Sequence, residues 1–254
     1  MRSFVVDELT VHVHDHDRDL AADAATAAAA AIGAAVAARG VAHVMLATGN
    51  SQLAFLETLT RRTDVDWSAV VGFHMDEYVG IPADHPASFR RYLRERVVDV
   101  VHPRAFEYLD GDAADTAAEC RRYAALLAAH PLDVCCLGIG ENGHLAFNDP
   151  PVADFDDPLA VKVVELDAAC QRQQVGEGHF PDVDAVPRQA ITVTIPALLA
   201  AGRVLAIVPE ARKAAPVAAA LTGPIGPACP ASALRRVPQA TLYLDADSAA
   251  GLAA

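Results

Sequence analysis

The sequence predicts an α/β fold: a doubly wound, mostly parallel sheet with helices on both faces, in a Rossmann-like topology. Short apolar runs alternate with helical stretches along the chain, and each run is apolar throughout rather than at every second position. Strands of this kind are buried on both faces, because helices cover a parallel sheet from each side. The 254 residues, of which 53% are hydrophobic, suffice for one large core. We therefore expect a single domain over 1–254.

The predicted elements follow one another in a regular order of strand, turn and helix. The first helix is predicted at 20–39, because this stretch is rich in alanine and Gly40 provides a C-terminal stop. Apolar runs and the stretches between them predict the rest: strands at 41–47, 70–75, 133–139 and 204–208, and helices at 52–60, 88–98, 115–130 and from 211 onward.

The segment at about 150–187 interrupts this order. It is rich in proline and acidic residues and contains one predicted strand, at 161–166. Such a segment is either a mobile lid over a binding site or a surface insertion without a function.

Composition excludes several classes of partner. The net charge of −13 argues against nucleic acid, which requires a basic surface. The chain has no long run of large apolar residues and its N-terminal stretch is acidic, so we expect neither a membrane span nor a signal peptide, and a cytoplasmic protein. Five cysteines, an odd number without zinc-ribbon spacing, predict buried inert thiols rather than disulfides or a structural metal.

A row of alternating histidines lies near the N-terminus. His12, His14 and His16 would share one face of a strand and in that respect resemble a metal site. An exposed strand end near the terminus explains the same pattern, and this is the interpretation we adopt.

Two glycine-containing turns are candidates for ligand binding. Gly138, Gly140 and Gly143 spell GxGxxG after a predicted strand, but the prolines that follow leave no room for the long helix of a dinucleotide site. The turn TGNS at 48–51 joins a strand to a helix, where free N–H groups and the helix dipole suit a phosphate. A plain capped turn would have the same sequence.

Acidic residues follow the strand at 70–75. Asp76 and Glu77 stand at its carboxyl end, where open α/β sheets bind ligands. An apolar environment would make Asp76 a base for proton transfer; the alternative is a pair of solvated loop acids.

Taken in order, five segments resemble the glucosamine-6-phosphate deaminase/isomerase family. The most specific are MDEYVG, within FHMDEYVGIPADHPASF, and GHLAFNDP, within LGIGENGHLAFNDP; the others are TGNS, VPRQAITVTIPALLAA and PEARKA. The related 6-phosphogluconolactonases share the fold but usually carry a different acidic motif and a segment similar to GHTASLFP.

The resemblance implies conversion of glucosamine 6-phosphate to fructose 6-phosphate and ammonia, without cofactor or metal. It assigns Asp76 as the base that moves a proton from C2 to C1, and His144 as the group that opens the sugar ring, oriented by Asp149 and Asn142. It also implies the residues that contact the substrate or its phosphate: Thr48, Gly49, Asn50, Ser51, Glu77, Gly143 and Lys213.

The sequence departs from the family pattern at three places. Asn142 replaces a common Asp, Asp149 replaces a Glu, and the lid arginine has no clear counterpart, with Arg172 and His179 as candidates. These departures leave two alternatives open, a lactonase-like hydrolase that uses His144 to activate water and a non-catalytic sugar-phosphate sensor. Alanine-rich helix surfaces are compatible with a monomer and with a homo-oligomer.

Overall fold

The computed structural model describes residues 1–252, which form two sheets and eight α-helices. The strands are β1 (Arg2–Val6), β2 (Leu9–Val13), β3 (Ala42–Leu46), β4 (Val70–His74), β5 (Asp76–Tyr78), β6 (Ala105–Glu107), β7 (Val134–Leu137), β8 (Val161–Glu165), β9 (Gln189–Val193), β10 (Arg203–Val208) and β11 (Ala240–Leu244). The helices are α1 (Asp17–Arg39), α2 (Leu53–Thr60), α3 (Phe89–Leu93), α4 (Asp99–Val101), α5 (Thr116–Ala129), α6 (Ala168–Gly176), α7 (Ile195–Leu199) and α8 (Ala214–Thr222). A π-helical turn, Arg94–Val98, joins α3 to α4.

The main sheet has eight strands in the order β1-β2-β11-β10-β7-β3-β4-β6. All neighbours pair in parallel except β1, which runs antiparallel to β2 at one edge. The mostly parallel sheet predicted from the sequence is therefore confirmed. From β3 the chain adds β4 and β6 on one side, and it then returns to build β7, β10 and β11 on the other. The point between β3 and β7 is thus the topological switch point, where open α/β sheets bind ligands.

Helices cover both faces of this sheet. Cys135 packs with residues of α5, α7 and α8, whereas its neighbour Cys136 packs with residues of α1 and α2. Successive residues of a strand point to opposite faces, so an uninterrupted apolar run serves two cores. Four of the five cysteines are buried and all five are free thiols, as predicted.

Helix α1 is the one helix within residues 1–252 that is long and apolar enough to cross a membrane. Core helices of soluble proteins share these properties, and α1 packs in the core: Ala24, Ala28 and Ile32 have no exposed surface. Small alanine side chains allow the helix to lie close to the sheet. Gly40 ends the helix in the left-handed conformation, with φ 74°.

The second sheet is antiparallel, has the order β5-β9-β8, and was not predicted. Its central strand, β9, pairs with β5 at Asp76↔Thr192 and with β8 at Val161↔Val193. The second sheet thereby connects the end of β4 to the segment 150–187. This segment contains the predicted strand β8 and the unpredicted helix α6. The residues after β4 are therefore held in a sheet rather than in a free turn.

The prediction that the N-terminal histidines form an exposed strand end is wrong for two of the three. His14 is only 6% exposed and His12 is half-buried, while His16 is exposed. The reason is that β2 is an inner strand between β1 and β11, and α1 packs over the histidine face.

Candidate active site

A cavity opens at the carboxyl ends of β3, β4, β7 and β10, at the switch point of the sheet. Residues from all four strand ends line it, together with residues of α6 and of the loop that follows α6. The lining residues are Ala47, Thr48, Gly49, Ser51, Met75, Asp76, Phe89, Gly138, Ile139, Gly140, His144, Ala146, Phe147, Gln173, Gln174, Glu177, His179 and Lys213.

Asp76 is, with Glu177, one of two acidic residues that line the cavity. It begins β5 directly after β4 and is 7% exposed. Burial, and then the negative charge of Glu77, raise the pKa of Asp76 well above its usual range. A carboxylate with a raised pKa is a stronger base once it is deprotonated, which suits it to remove a proton from carbon.

Glu77 does not line the cavity, although it was expected to contact the substrate. Neighbouring residues of a strand point to opposite sides, so Glu77 points away from the side of Asp76. Its carboxylate accepts hydrogen bonds from the Ser88 hydroxyl at 2.7 Å and from the Arg90 amide at 3.0 Å, and it pairs with the Arg90 guanidinium at 3.2 Å. Glu77 therefore holds the start of α3 against β5, and its contribution to the site is structural.

His144 forms a hydrogen-bonded group with Asp149 and Asn142. The Nδ1 atom of His144 lies 2.8 Å from Asp149 Oδ1, which also accepts a bond of 2.9 Å from the Asn142 amide. Burial acts to raise the pKa of Asp149, but the bonds from His144 and Asn142 outweigh it and bring this pKa below its usual value. An ionised Asp149 places the proton of neutral His144 on Nδ1, which leaves Nε2 free to exchange protons with a ligand.

Asn142 completes this arrangement without a charge. Its side-chain oxygen accepts the His144 amide at 3.1 Å while its nitrogen donates to Asp149. The buried thiol of Cys170 also faces Asp149, and burial, followed by the charges of Asp149 and Asp76, raises the pKa of Cys170 well above its usual value. The Cys170 thiol is therefore protonated at neutral pH and does not add a further negative charge beside Asp149.

The imidazole of His144 lies directly against Gly140. A Cβ atom at Gly140 would come within 2.1 Å of His144 Nε2, so no larger residue fits while the ring keeps this position. Gly140→Ala is expected to turn the ring away from Asp149 and to lower kcat about 10- to 100-fold, since a displaced catalytic group loses most of its effect. Steady-state kinetics beside circular dichroism test this. Gly33→Ala, in α1 with open space around it, is the matched control; equal activity of the two variants would contradict the prediction.

Gly143 shapes the turn rather than the cavity. It has a φ of 84°, and a Cβ there would lie 2.9 Å from Cys229 Sγ. Gly143 does not line the cavity, although the family resemblance implied that it contacts the substrate.

The group of residues that we call the anion cradle consists of the TGNS turn and Lys213, whose N–H groups and positive charge suit an anion. The TGNS turn lies at the start of a 3-10 turn and α2, whose first N–H groups have no partner within the helix. Thr48, Gly49 and Ser51 line the cavity, whereas Asn50 is exposed and its amide donates to the Glu177 carbonyl at 3.4 Å.

Lys213 provides the positive charge of this cradle. Its residue is 3% exposed, and within residues 1–252 no carboxylate lies within 4.0 Å of its ammonium group. Burial, and then the neighbouring Arg212, lower the pKa of Lys213. A buried ammonium that faces a cavity without a carboxylate partner is stabilised by an anionic ligand.

Glu177 lies over the cradle and was not foreseen. Its Oε1 atom pairs with Arg212 at 2.7 Å, and its Oε2 atom lies 3.3 Å from His179 and 3.7 Å from the Cβ position of Gly49. Burial acts to raise the pKa of Glu177, but interactions with His179 and Arg212 dominate and lower it to about 2. The Glu177 carboxylate is thus ionised throughout the neutral range, beside the Arg212 cation and the turn at Gly49.

Of the two candidates for a lid cation, His179 lines the cavity and Arg172 does not, since Arg172 is exposed on α6. Arg212, next to Lys213 in sequence, pairs with Glu177 in the loop after α6 at 2.7 Å and with Glu141 in the loop after β7 at 3.1 Å. The sequence carried one signal for this arrangement, a basic pair at 212–213 in PEARKA.

The cavity is small. Its volume is about 70 Å³, whereas sites for small molecules occupy about 300–1,000 Å³. A ligand as large as a sugar phosphate needs more room than the cavity has in this structure.

Comparison with known proteins agrees with the geometry. The sequence profile of the family described as glucosamine-6-phosphate isomerases/6-phosphogluconolactonase matches residues 15–243. The chain belongs to this family. A family member, the glucosamine-6-phosphate deaminase of Streptococcus equi subsp. zooepidemicus, is 31% identical over 215 residues, which cover 85% of this chain and 89% of that protein.

Solved structures of the family superpose closely on this chain. One, described as a monomeric glucosamine-6-phosphate deaminase, has a TM-score of 0.86 at 29% identity, over 95% of this chain and 99% of the other. A 6-phosphogluconolactonase from Shewanella baltica has a TM-score of 0.78 at 21% identity over 95% and 99% of the two chains. The second likeness shows the shared fold alone.

Proposed function

We propose that the protein is a glucosamine-6-phosphate deaminase that isomerises an amino-sugar phosphate and releases ammonia, and that it acts in the cytoplasm. The observation that carries this proposal is the pair of groups on the cavity wall, buried Asp76 and the His144–Asp149 dyad, beside a cradle that contains buried Lys213.

The phosphate is the anchor in this proposal. It binds to the N–H groups and hydroxyls of the TGNS turn and to Lys213, as anions bind at helix N-termini. Anchoring one end of the substrate places the sugar ring toward Asp76 and His144, which line the same cavity.

His144 opens the ring. Its Nε2 atom accepts the proton of the O1 hydroxyl and delivers it to the ring oxygen O5, which gives the open-chain aldehyde. The ionised Asp149 stabilises the imidazolium that forms between these two transfers.

Asp76 performs the isomerisation. Its carboxylate removes the proton from C2, next to the aldehyde, while the ammonium group on C2 gives up a proton and O1 gains one, and an enolamine forms. The same proton returns to C1, which leaves an imine at C2; water then adds to C2, and ammonia departs as fructose 6-phosphate forms. The apolar wall formed by Met75, Phe89 and Phe147 limits water around Asp76 during the proton transfers.

We further propose that the part of the segment at 150–187 that carries α6 and the following loop is a lid. It supplies Gln173, Gln174, Glu177 and His179 to the cavity, and the pair between Glu177 and Arg212 holds it closed. When the substrate phosphate enters, it replaces the Glu177 carboxylate in front of the cations.

Removal of the Glu177 charge tests this displacement. Because the carboxylate competes with phosphate, Glu177→Gln is expected to lower KM for the sugar phosphate about 3- to 10-fold, with kcat within about twofold of wild type. With a pKa of about 2 in the wild type, the competition persists at every neutral pH. Steady-state kinetics with the exposed Glu95→Gln as control measure the effect. A raised KM would show that Glu177 contacts the substrate itself.

A substrate panel tests the proposed function. Purified protein is incubated with glucosamine 6-phosphate, galactosamine 6-phosphate, free glucosamine and 6-phosphogluconolactone. The proposal predicts turnover of an amino-sugar phosphate and none of free glucosamine, because the cradle needs the phosphate. Hydrolysis of the lactone alone would favour the hydrolase alternative, and tight binding without turnover would favour a sensor.

A further inference from the structure

A second cluster of chemistry-bearing side chains lies outside the cavity, between β2 and α1. The Oδ2 atom of Asp23 lies 2.9 Å from His12 Nδ1 and 3.2 Å from His14 Nε2. None of these residues lines the cavity, and the proposed reaction uses none of them. Two imidazoles thus converge on one carboxylate oxygen outside the proposed active site.

The backbone explains why the three groups meet. His12 lies in β2, and His14 directly follows this strand and continues its pairing with β11 by donating its amide to the Leu244 carbonyl at 2.8 Å. Residues two positions apart in an extended chain point to the same side, and Asp23 lies on the first turns of α1, the helix that follows. The ring of His12 also packs edge-on against Tyr243 of β11, with centroids 5.4 Å apart. Strand pairing and ring packing therefore set the positions of the donor atoms before any ligand arrives.

We propose that His12, His14 and Asp23 form a binding site for a divalent transition metal, with Zn²⁺ as the best fit. Imidazole nitrogen and carboxylate oxygen are ligands that Zn²⁺ accepts readily. The three donor atoms lie within 4.8 Å of one another. Tetrahedral Zn²⁺ with bonds of about 2.0–2.1 Å needs donors about 3.3 Å apart, and the two separations from Asp23 Oδ2, 2.9 and 3.2 Å, are close to this value.

The exposure of the three side chains suits one open coordination position. The His14 side chain is 7% exposed, whereas those of His12 and Asp23 are 24% and 33% exposed. The ion enters from the solvent side, and water completes its coordination. The bound metal connects the end of β2, next to the edge strand β1, to α1 and so stabilises this side of the main sheet.

Isothermal titration of untagged, metal-stripped protein with ZnCl₂ tests the site. The wild type is expected to bind one equivalent of Zn²⁺, and Asp23→Asn is expected to raise the Kd for Zn²⁺ at least about tenfold. His16→Gln is the matched control, since His16 is a neighbouring but exposed histidine outside the cluster. The proposal is overturned if the wild type binds no saturable equivalent, if Asp23→Asn binds as tightly, or if His16→Gln loses as much affinity.

A second measurement covers the case in which a variant fails to fold. Co²⁺ replaces Zn²⁺ in the wild-type protein, and its visible spectrum reports the coordination geometry. An intense tetrahedral spectrum with one equivalent supports the site, whereas the weak spectrum of hydrated Co²⁺ contradicts it. The melting temperature of the wild type should also rise on addition of Zn²⁺, with no rise in Asp23→Asn.

Discussion

Asp76→Asn is expected to lower kcat at least about 10³-fold, because the amide cannot accept the C2 proton. The buried cavity and the phosphate cradle stay intact, so the Kd for the substrate should change little. Ammonia release at saturating substrate gives kcat, and equilibrium titration with a non-reacting sugar phosphate gives the Kd. Asp99→Asn, an exposed carboxylate outside the cavity, is the control and should keep wild-type activity. Residual activity within about tenfold of wild type would exclude Asp76 as the base.

The pH profile of the wild type follows from the same residue. The pKa of Asp76 is raised by burial and by Glu77, so the carboxylate gains its proton at a pH where an ordinary aspartate is ionised. Activity depends on the ionised form, so kcat/KM should increase with pH through a limb that lies above the usual carboxylate range. A profile that is flat down to the ordinary aspartate pKa would contradict the raised value.

His144→Gln is expected to lower kcat about 10²- to 10³-fold by slowing ring opening. Asp149→Asn should have an effect in the same direction, because it no longer holds the proton of His144 on Nδ1. Substrate deuterated at C2 separates the steps. If ring opening becomes rate-limiting in His144→Gln, the isotope effect on kcat should shrink relative to wild type. An unchanged isotope effect with a lowered kcat would place His144 in the proton transfer at C2 instead.

Much of the main sheet follows from the sequence. Each predicted strand at 41–47, 70–75, 133–139 and 204–208 matches an observed strand within a few residues, since a continuous apolar run is a strong signal. The antiparallel sheet escaped prediction because β5 has only three residues and pairs with β9, far along the chain. A strand this short has no periodicity to detect.

The site shows the same division. The structure brings to one cavity three of the residues that the motifs singled out, Asp76, His144 and Lys213. A fourth, Asp149, lies behind the wall and binds His144. The side to which the Glu77 side chain points is set by the pairing of β5 with β9. A sequence motif does not specify strand pairing, so the motif could not predict this direction.

The position of Glu177 depends on a contact between the loop after α6 and the TGNS turn, which only the folded chain brings together. The cluster of His12, His14 and Asp23 needs the packing of α1 over β2, because the third member lies outside the histidine pattern.

The most direct test of the account is to incubate the protein with glucosamine 6-phosphate and to quantify ammonia and fructose 6-phosphate in the same samples over time. The account predicts that both products appear in a 1:1 ratio at the same rate, and that neither appears with Asp76→Asn. Fructose 6-phosphate without ammonia, or ammonia without a ketose, would contradict coupled isomerisation and deamination. Failure to form either product would contradict the assignment of this substrate.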